Sequence, residues 1–183
     1  MGIGTIILLA VGLAMDAFAV SICGGITIPA FSRVKGGIKF GLWFGFFQAL
    51  MPLIGYFLGA KFAGEIAAYD HWIAFILLCY LGITMIREAN DSCTYVKGYG
   101  IKEMTMLAIA TSIDALAVGV SFAFLNVDIW SSAFIIGLVT FVISFIGCVF
   151  GSAIGTLWKK KAEIAGGLIL IIIGLEILYE HLT

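Results

Sequence analysis

Six strongly apolar stretches, each of about twenty residues, follow one another along the chain, and at that length each covers ~30 Å of hydrocarbon as a helix. They run over roughly 3–25, 38–60, 70–88, 103–125, 129–157 and 163–181 of the 183 residues. A chain that is 62% hydrophobic and only 11% charged cannot hide that much apolar side chain inside a soluble domain of this size. The sequence therefore predicts an all-α integral membrane protein that crosses the bilayer six times. The fifth stretch is long enough to tilt or to project into water.

Charge fixes the expected orientation. Arg33, Lys35 and Lys39 flank the first connection, Arg87, Lys97 and Lys102 the third, and Lys159, Lys160 and Lys161 the fifth; only Lys61 falls on the opposite side. Positive residues stay in the cytoplasm, so connections one, three and five are expected there and both termini outside. The first apolar run has no preceding Lys or Arg and carries Asp16, which argues against a cleaved signal peptide. No basic patch with interleaved aromatics marks nucleic-acid binding. The cysteines form neither a C-x-x-C pair nor a Cys/His cluster, so neither a thiolate metal site nor a disulfide framework is expected.

The two halves repeat. Asp16-Ala17-Phe18-Ala19-Val20 in the first stretch corresponds to Asp114-Ala115-Leu116-Ala117-Val118 in the fourth. Gly45, Gly55 and Gly59 correspond at one constant offset to Gly137, Gly147 and Gly151, and Gly82 to Gly174 at the same offset. Three spans per half is an odd number, so the second copy enters the membrane from the opposite side. Two inverted-topology three-helix repeats are expected, residues 1–90 and 103–183, joined by a cytoplasmic linker over 91–102. Such repeats are typical of transporters, with the substrate site at the midplane between them.

Asp16 and Asp114 each stand near the middle of an apolar span, where a carboxylate is costly unless compensated. Related by a two-fold axis in the membrane plane, they approach each other at the centre. Two adjacent carboxylates repel unless one holds a proton or a cation bridges them. Oxygen-bearing side chains lie nearby in sequence: Ser21 after Asp16, Thr111 and Ser112 before Asp114, and Gln48 in the second span, which corresponds to Thr140 in the fifth. Oxygen donors without thiolate or imidazole suit manganese, magnesium or calcium. The same hydroxyls, and Gln48, also commonly bond helix to helix. Pro52 removes a backbone donor within the second span and is expected to kink it. No G-x-x-x-x-G-K-[ST] motif is present, so this chain supplies no nucleotide site of that kind. Two membrane aspartates also suggest an intramembrane aspartyl protease, but the inverted duplication favours transport over catalysis.

In the segments "MDAFAVSICGG" (Met15–Gly25), "FGFFQALMPLIGYFLG" (Phe44–Gly59), "HWIAFILLCYLGITMI" (His71–Ile86), "ATSIDALAVGVSFAFL" (Ala110–Leu125) and "KKAEIAGGLILIIIG" (Lys160–Gly174), the chain resembles the MntP family of manganese efflux pumps, within the lysine-exporter superfamily. The resemblance implies a bacterial inner-membrane exporter of Mn²⁺ with functional aspartates at Asp16 and Asp114. Other members can hold Glu where this chain has Gln48; an amide still offers an oxygen but lowers the site's charge by one. Mn²⁺ is then the substrate rather than a resident cofactor, protons are the expected coupling ion, and a homodimer is plausible for so few helices. Another divalent cation, or an amino acid as in the wider superfamily, is the alternative cargo.

Overall fold

The structure is a computed structural model describing residues 2–61, 70–89, 100–125 and 127–182. Helix α1 spans Ile3–Thr27, α2 Arg33–Ala60, α3 Asp70–Glu88, α4 Ile101–Ala110, α5 Ile113–Phe124 and α6 Ile129–Leu182. Among the described residues there is no strand. Four segments, Ile3–Thr27, Ala30–Ala60, Ile129–Ala153 and Trp158–Tyr179, are long and apolar enough to cross a membrane. The bent pair α4–α5 passes the same test as one unit. In α3 the apolar part, Ala74–Arg87, is shorter than a full span. The chain is thus a multi-pass helical membrane protein with four to five clear spans.

Local chemistry sets the helix ends. α1 stops because Ile28 precedes Pro29 and is held extended, with ψ of 132°; proline's ring forbids the helical region to its neighbour. Its last carbonyls are partly satisfied by the Thr27 hydroxyl, which donates to Gly24 O at 2.8 Å. α6 starts at Asp128, whose carboxylate accepts from Ser131 Oγ at 2.5 Å and from the Trp130 N–H at 3.3 Å. These contacts satisfy donors that a helix N-terminus leaves open. The Ser131 hydroxyl, with those N–H groups, holds Asp128 below the usual carboxylate range.

Two features differ from the sequence expectation. The fourth span is not one helix: α4 and α5 meet at Thr111–Ser112 with a bend of 44°. The fifth and sixth stretches are not separated by a loop. They form one helical run broken only at Gly155, whose φ of 69° and ψ of 178° lie outside the helical region. Lys159, Lys160 and Lys161 consequently sit in the first turns of the last arm, and Lys159 is buried whereas its two neighbours are exposed. α2 runs from Arg33 to Ala60 with Pro52 inside it. Pro52 does not break the helix; its backbone lies against Gly119 of α5.

Glycines set how closely the helices approach. Gly147 and Gly151 of α6 receive Phe18 and Ile22 of α1. Gly55 and Gly59 of α2 receive Leu116 and Val120 of α5. Gly45 and Gly137 are mutual neighbours, each with its Cβ position 2.8 Å from the other's carbonyl oxygen. Gly82 and Gly167 are likewise mutual, at 2.5 Å, flanked by Ile171 and Ile86 respectively. Gly174, the repeat counterpart of Gly82, packs against Leu78 and the backbone of Phe75, and Phe75 stands at the repeat counterpart of Gly167. Small residues of this kind are what allow close backbone approach where no hydrophobic force separates protein from lipid.

The linker read over 91–102 falls mostly outside the described residues. Cys79 and Cys148 are free thiols, and Cys23 is disulfide-bonded, a bond the cysteine spacing does not announce.

Candidate functional site

Asp16 and Asp114 come together from α1 and α5, close enough to interact electrostatically. Both are half-buried. Their backbone settings differ. Asp16 lies inside the unbroken α1, whereas Asp114 is the second residue of α5, immediately after the break. The N–H groups of Asp114 and Ala115 face its carboxylate, and a helix N-terminus favours negative charge. Its Oδ1 is nevertheless buried without a hydrogen-bond partner among the described residues.

The break has a chemical cause in two hydroxyls. Thr111 Oγ1 lies 3.0 Å from Leu107 O and 3.3 Å from Ala108 O, and Ser112 Oγ lies 2.7 Å from Ala108 O. Ser112 Oγ answers the Ala108 carbonyl, whose regular donor, the Ser112 N–H, turns to Ile109 O at 3.1 Å, whereas Leu107 O keeps the Thr111 N–H at 2.9 Å beside the Thr111 hydroxyl. The first copy carries Leu13-Ala14 at the corresponding positions and has no such hydroxyls, and α1 runs straight through.

Gln48 joins the two halves of the site. It is fully buried on α2. Its Nε2 donates to the carbonyl of Leu13 on α1 at 3.3 Å, and its Oε1 accepts from Ser112 Oγ at 2.8 Å. The single Ser112 hydrogen serves either Gln48 or Ala108. The Gln48 backbone carbonyl lacks its usual helical donor, because Pro52 four residues on has no N–H.

Thr140 is fully buried on α6 and its Oγ1 has no hydrogen-bond partner among the described residues; the same holds for Ser144 Oγ, one turn further on. The sequence reading missed Ser144, although hydroxyls four apart on an apolar helix share a face. Ser21 is buried but donates to Ala17 O at 2.6 Å on its own helix. Of the seven expected residues, then, Gln48 and Ser112 form a direct link, the aspartates lie within electrostatic reach of each other, Thr140 is buried on α6, and Ser21 and Thr111 are turned back on their own backbones. Among the described residues no group of three or more His, Cys, Asp or Glu side chains could hold a metal, so any cation here relies on two carboxylates and neutral oxygens.

The aspartates lie between two apolar clusters. Leu13 and Ala115 belong to one, with Leu9, Val118 and Phe122. Ala17 and Ala108 belong to the other, with Phe40 and Phe44. A charge between them has apolar side chains above and below it.

The sequence model of a family described as "Mntp: Putative manganese efflux pump" matches residues 31–178. A protein of Desulfitobacterium hafniense named "Putative manganese efflux pump MntP" is 51% identical over 183 residues, covering 100% of this chain and 97% of its own length. Proteins with that name from Mannheimia succiniciproducens and Clostridium botulinum are each 53% identical, over 94% and 99% of this chain and 94% and 96% of their own lengths. No solved structure matches. With a family match over most of its length and relatives about half identical from end to end, the chain belongs to the MntP family.

Proposed function

We propose that the protein exports Mn²⁺ across the bacterial inner membrane, binding it between Asp16 and Asp114 and releasing it outside by alternating access in exchange for protons. The observation that carries this reading is the approach of the two carboxylates from α1 and α5, with a buried acceptor atom on Asp114 that has no hydrogen-bond partner among the described residues. A divalent cation offsets both charges at once. Gln48 Oε1, the Gln48 carbonyl, and the hydroxyls of Ser112, Thr140 and Ser144 supply the hard oxygen donors such a cation prefers. Thr111 and Ser21 shape the helices around the site. The names of the relatives point to manganese as the cargo.

Six spans arranged as inverted repeats, residues 1–90 and 103–183, are part of the proposal. Phe18 against Gly147 has its counterpart in Leu116 against Gly55, and Ile22 against Gly151 in Val120 against Gly59. These paired contacts support a two-fold axis near Gly45 and Gly137. In this arrangement the helices of each half pack on those of the other, and rocking of the halves would open one apolar cluster while the other stays closed. The lopsided Lys and Arg distribution supports cytoplasmic connections one, three and five, with both termini outside. In that orientation the Phe40–Phe44 cluster seals the cytoplasmic side and the Leu9–Phe122 cluster the outer side.

The test is cellular manganese in an exporter-deficient strain carrying wild type, Asp16→Asn or Asp114→Asn. Both variants are expected to accumulate manganese as the empty strain does; normal export by both removes the central site. Proteoliposomes under an imposed pH gradient then decide proton coupling, which requires that Mn²⁺ flux follow the gradient's sign.

A further inference from the structure

Lys159 and Glu163 form a buried ion pair on the last arm of α6, with Nζ 3.2 Å from the carboxylate and exposures of 9% and 6%. Lys160 and Lys161, next in sequence, are exposed. A buried pair in a membrane segment is poor stabilisation, because desolvation consumes most of the attraction. Its position suggests a use. α1 and this arm run antiparallel, with Gly12 against Ile169 and Leu170 and with Met15 against Gly166. Continuing that register by one turn sets Glu163 opposite α1 at about the level of Phe18, some ~3 Å along the axis from Asp16 at 1.5 Å per residue. Glu163 and Lys159 precede Gly166 by three and seven residues, so all three share the face turned to α1. Lys159 lies four residues beyond the Gly155 break, at the end of the arm that the proposed orientation puts in the cytoplasm.

We propose that Glu163 is a third cation-binding carboxylate, at a separate position on the cytoplasmic approach to Asp16, and that Lys159 is its tethered counter-ion. This rests on the Mn²⁺-exporter reading above. With no metal present, the ammonium group occupies the carboxylate and keeps a bare charge out of the apolar interior. An arriving divalent cation brings a larger charge to the same oxygens, and the two cations repel. Lys159 has a flexible four-carbon stem rooted one turn nearer the cytoplasm, so it can withdraw its ammonium group toward water. The metal then passes to Asp16 and Asp114, and Lys159 returns behind it, which disfavours backflow.

The experiment measures initial Mn²⁺ uptake into everted membrane vesicles against Mn²⁺ concentration for wild type, E163Q, K159M and the double variant K159M/E163Q, with D16N as control. Loss of a charged ligand is expected to raise the half-saturating concentration in E163Q by about tenfold. K159M is expected to shift it the opposite way, because no ammonium competes, and the double variant is expected to behave as E163Q. A merely structural pair makes a different prediction. Its neutral double replacement is tolerated, so wild-type half-saturation in K159M/E163Q, or equal shifts in the same direction for both single variants, overturns the proposal. If K159M alone does not fold, the double variant and E163Q still decide. Failure of the parent reading is separate: it shows as transport by D16N, whereas inactive D16N beside unaltered K159M/E163Q removes only the role of Glu163.

Discussion

Ser112 Oγ lies 2.8 Å from Oε1 of Gln48, a contact between side chains 64 positions apart that ties α2 to the break before Asp114. Gln48 reaches Leu13 O on α1 with its other end, so one amide spans the helices that bear both aspartates. Measured inter-helix hydrogen bonds in membranes average ~0.6 kcal/mol and reach ~1.7. A double-mutant cycle of Q48A and S112A, read by thermal or denaturant unfolding in detergent, is expected to give a coupling of about 1 kcal/mol. Additive losses mean that the contact contributes nothing to stability.

Removing one aspartate is expected to separate stability from function. Two carboxylates in mutual reach under apolar cover disfavour the metal-free fold. Asp16→Asn should therefore raise the metal-free unfolding temperature while abolishing the increase on adding MnCl₂. For wild type that increase corresponds to ~2.7 kcal/mol at a hundredfold excess over Kd. A variant with a lower metal-free midpoint and an undiminished Mn²⁺ response contradicts this account. Asp114→Asn is expected to gain less, because the carboxylate it loses is already favoured by the start of α5.

Much of this was legible in the sequence, and the reasons for what was not are local. Apolar length located the helices: α3 was read over 70–88 and runs from Asp70 to Glu88. Repetition singled out Asp16 and Asp114 before any geometry, and the amide in an apolar span singled out Gln48. The bend at Thr111–Ser112 escaped because hydropathy does not register two hydroxyls bonding backward to carbonyls. The joining of the last two spans escaped because three lysines look like a loop, although a single glycine with positive φ turns the chain without one. The Lys159–Glu163 pair was hidden for the same reason: a charge four residues from its partner at a span end looks solvated until packing buries it.

Equivalent glycines should not be equally sensitive. A methyl group at Gly55 overlaps the backbone carbonyl of Leu116, whereas one at Gly147 first meets the Phe18 ring at 2.7 Å. Backbone cannot yield without moving a helix, and a ring can turn. Gly55→Ala is expected to destabilise by ~1–3 kcal/mol, the usual cost of overpacking, with Gly147→Ala toward the lower end of that range. Unfolding midpoints of the two variants, measured side by side, check the order; a larger loss for Gly147→Ala contradicts it.

Gly155 offers the opposite case, in which space is available and conformation is not. Among the described residues no atom lies within 4 Å of a Cβ built there, yet φ is 69°. An L side chain in that region costs on the order of 1–2 kcal/mol for conformation alone. Gly155→Ala is therefore expected to lower stability by about that amount with no steric contribution, and Gly155→Asn by less, because asparagine tolerates positive φ better. The backbone has a cheaper escape than bearing the strain, which is to straighten into a continuous helix. That would carry Lys159 and Glu163 away from α1. Loss of Mn²⁺ uptake in Gly155→Ala with partial recovery in Gly155→Asn is the expected pattern. Equal activity in both variants would mean that the break is dispensable for the path beside Asp16.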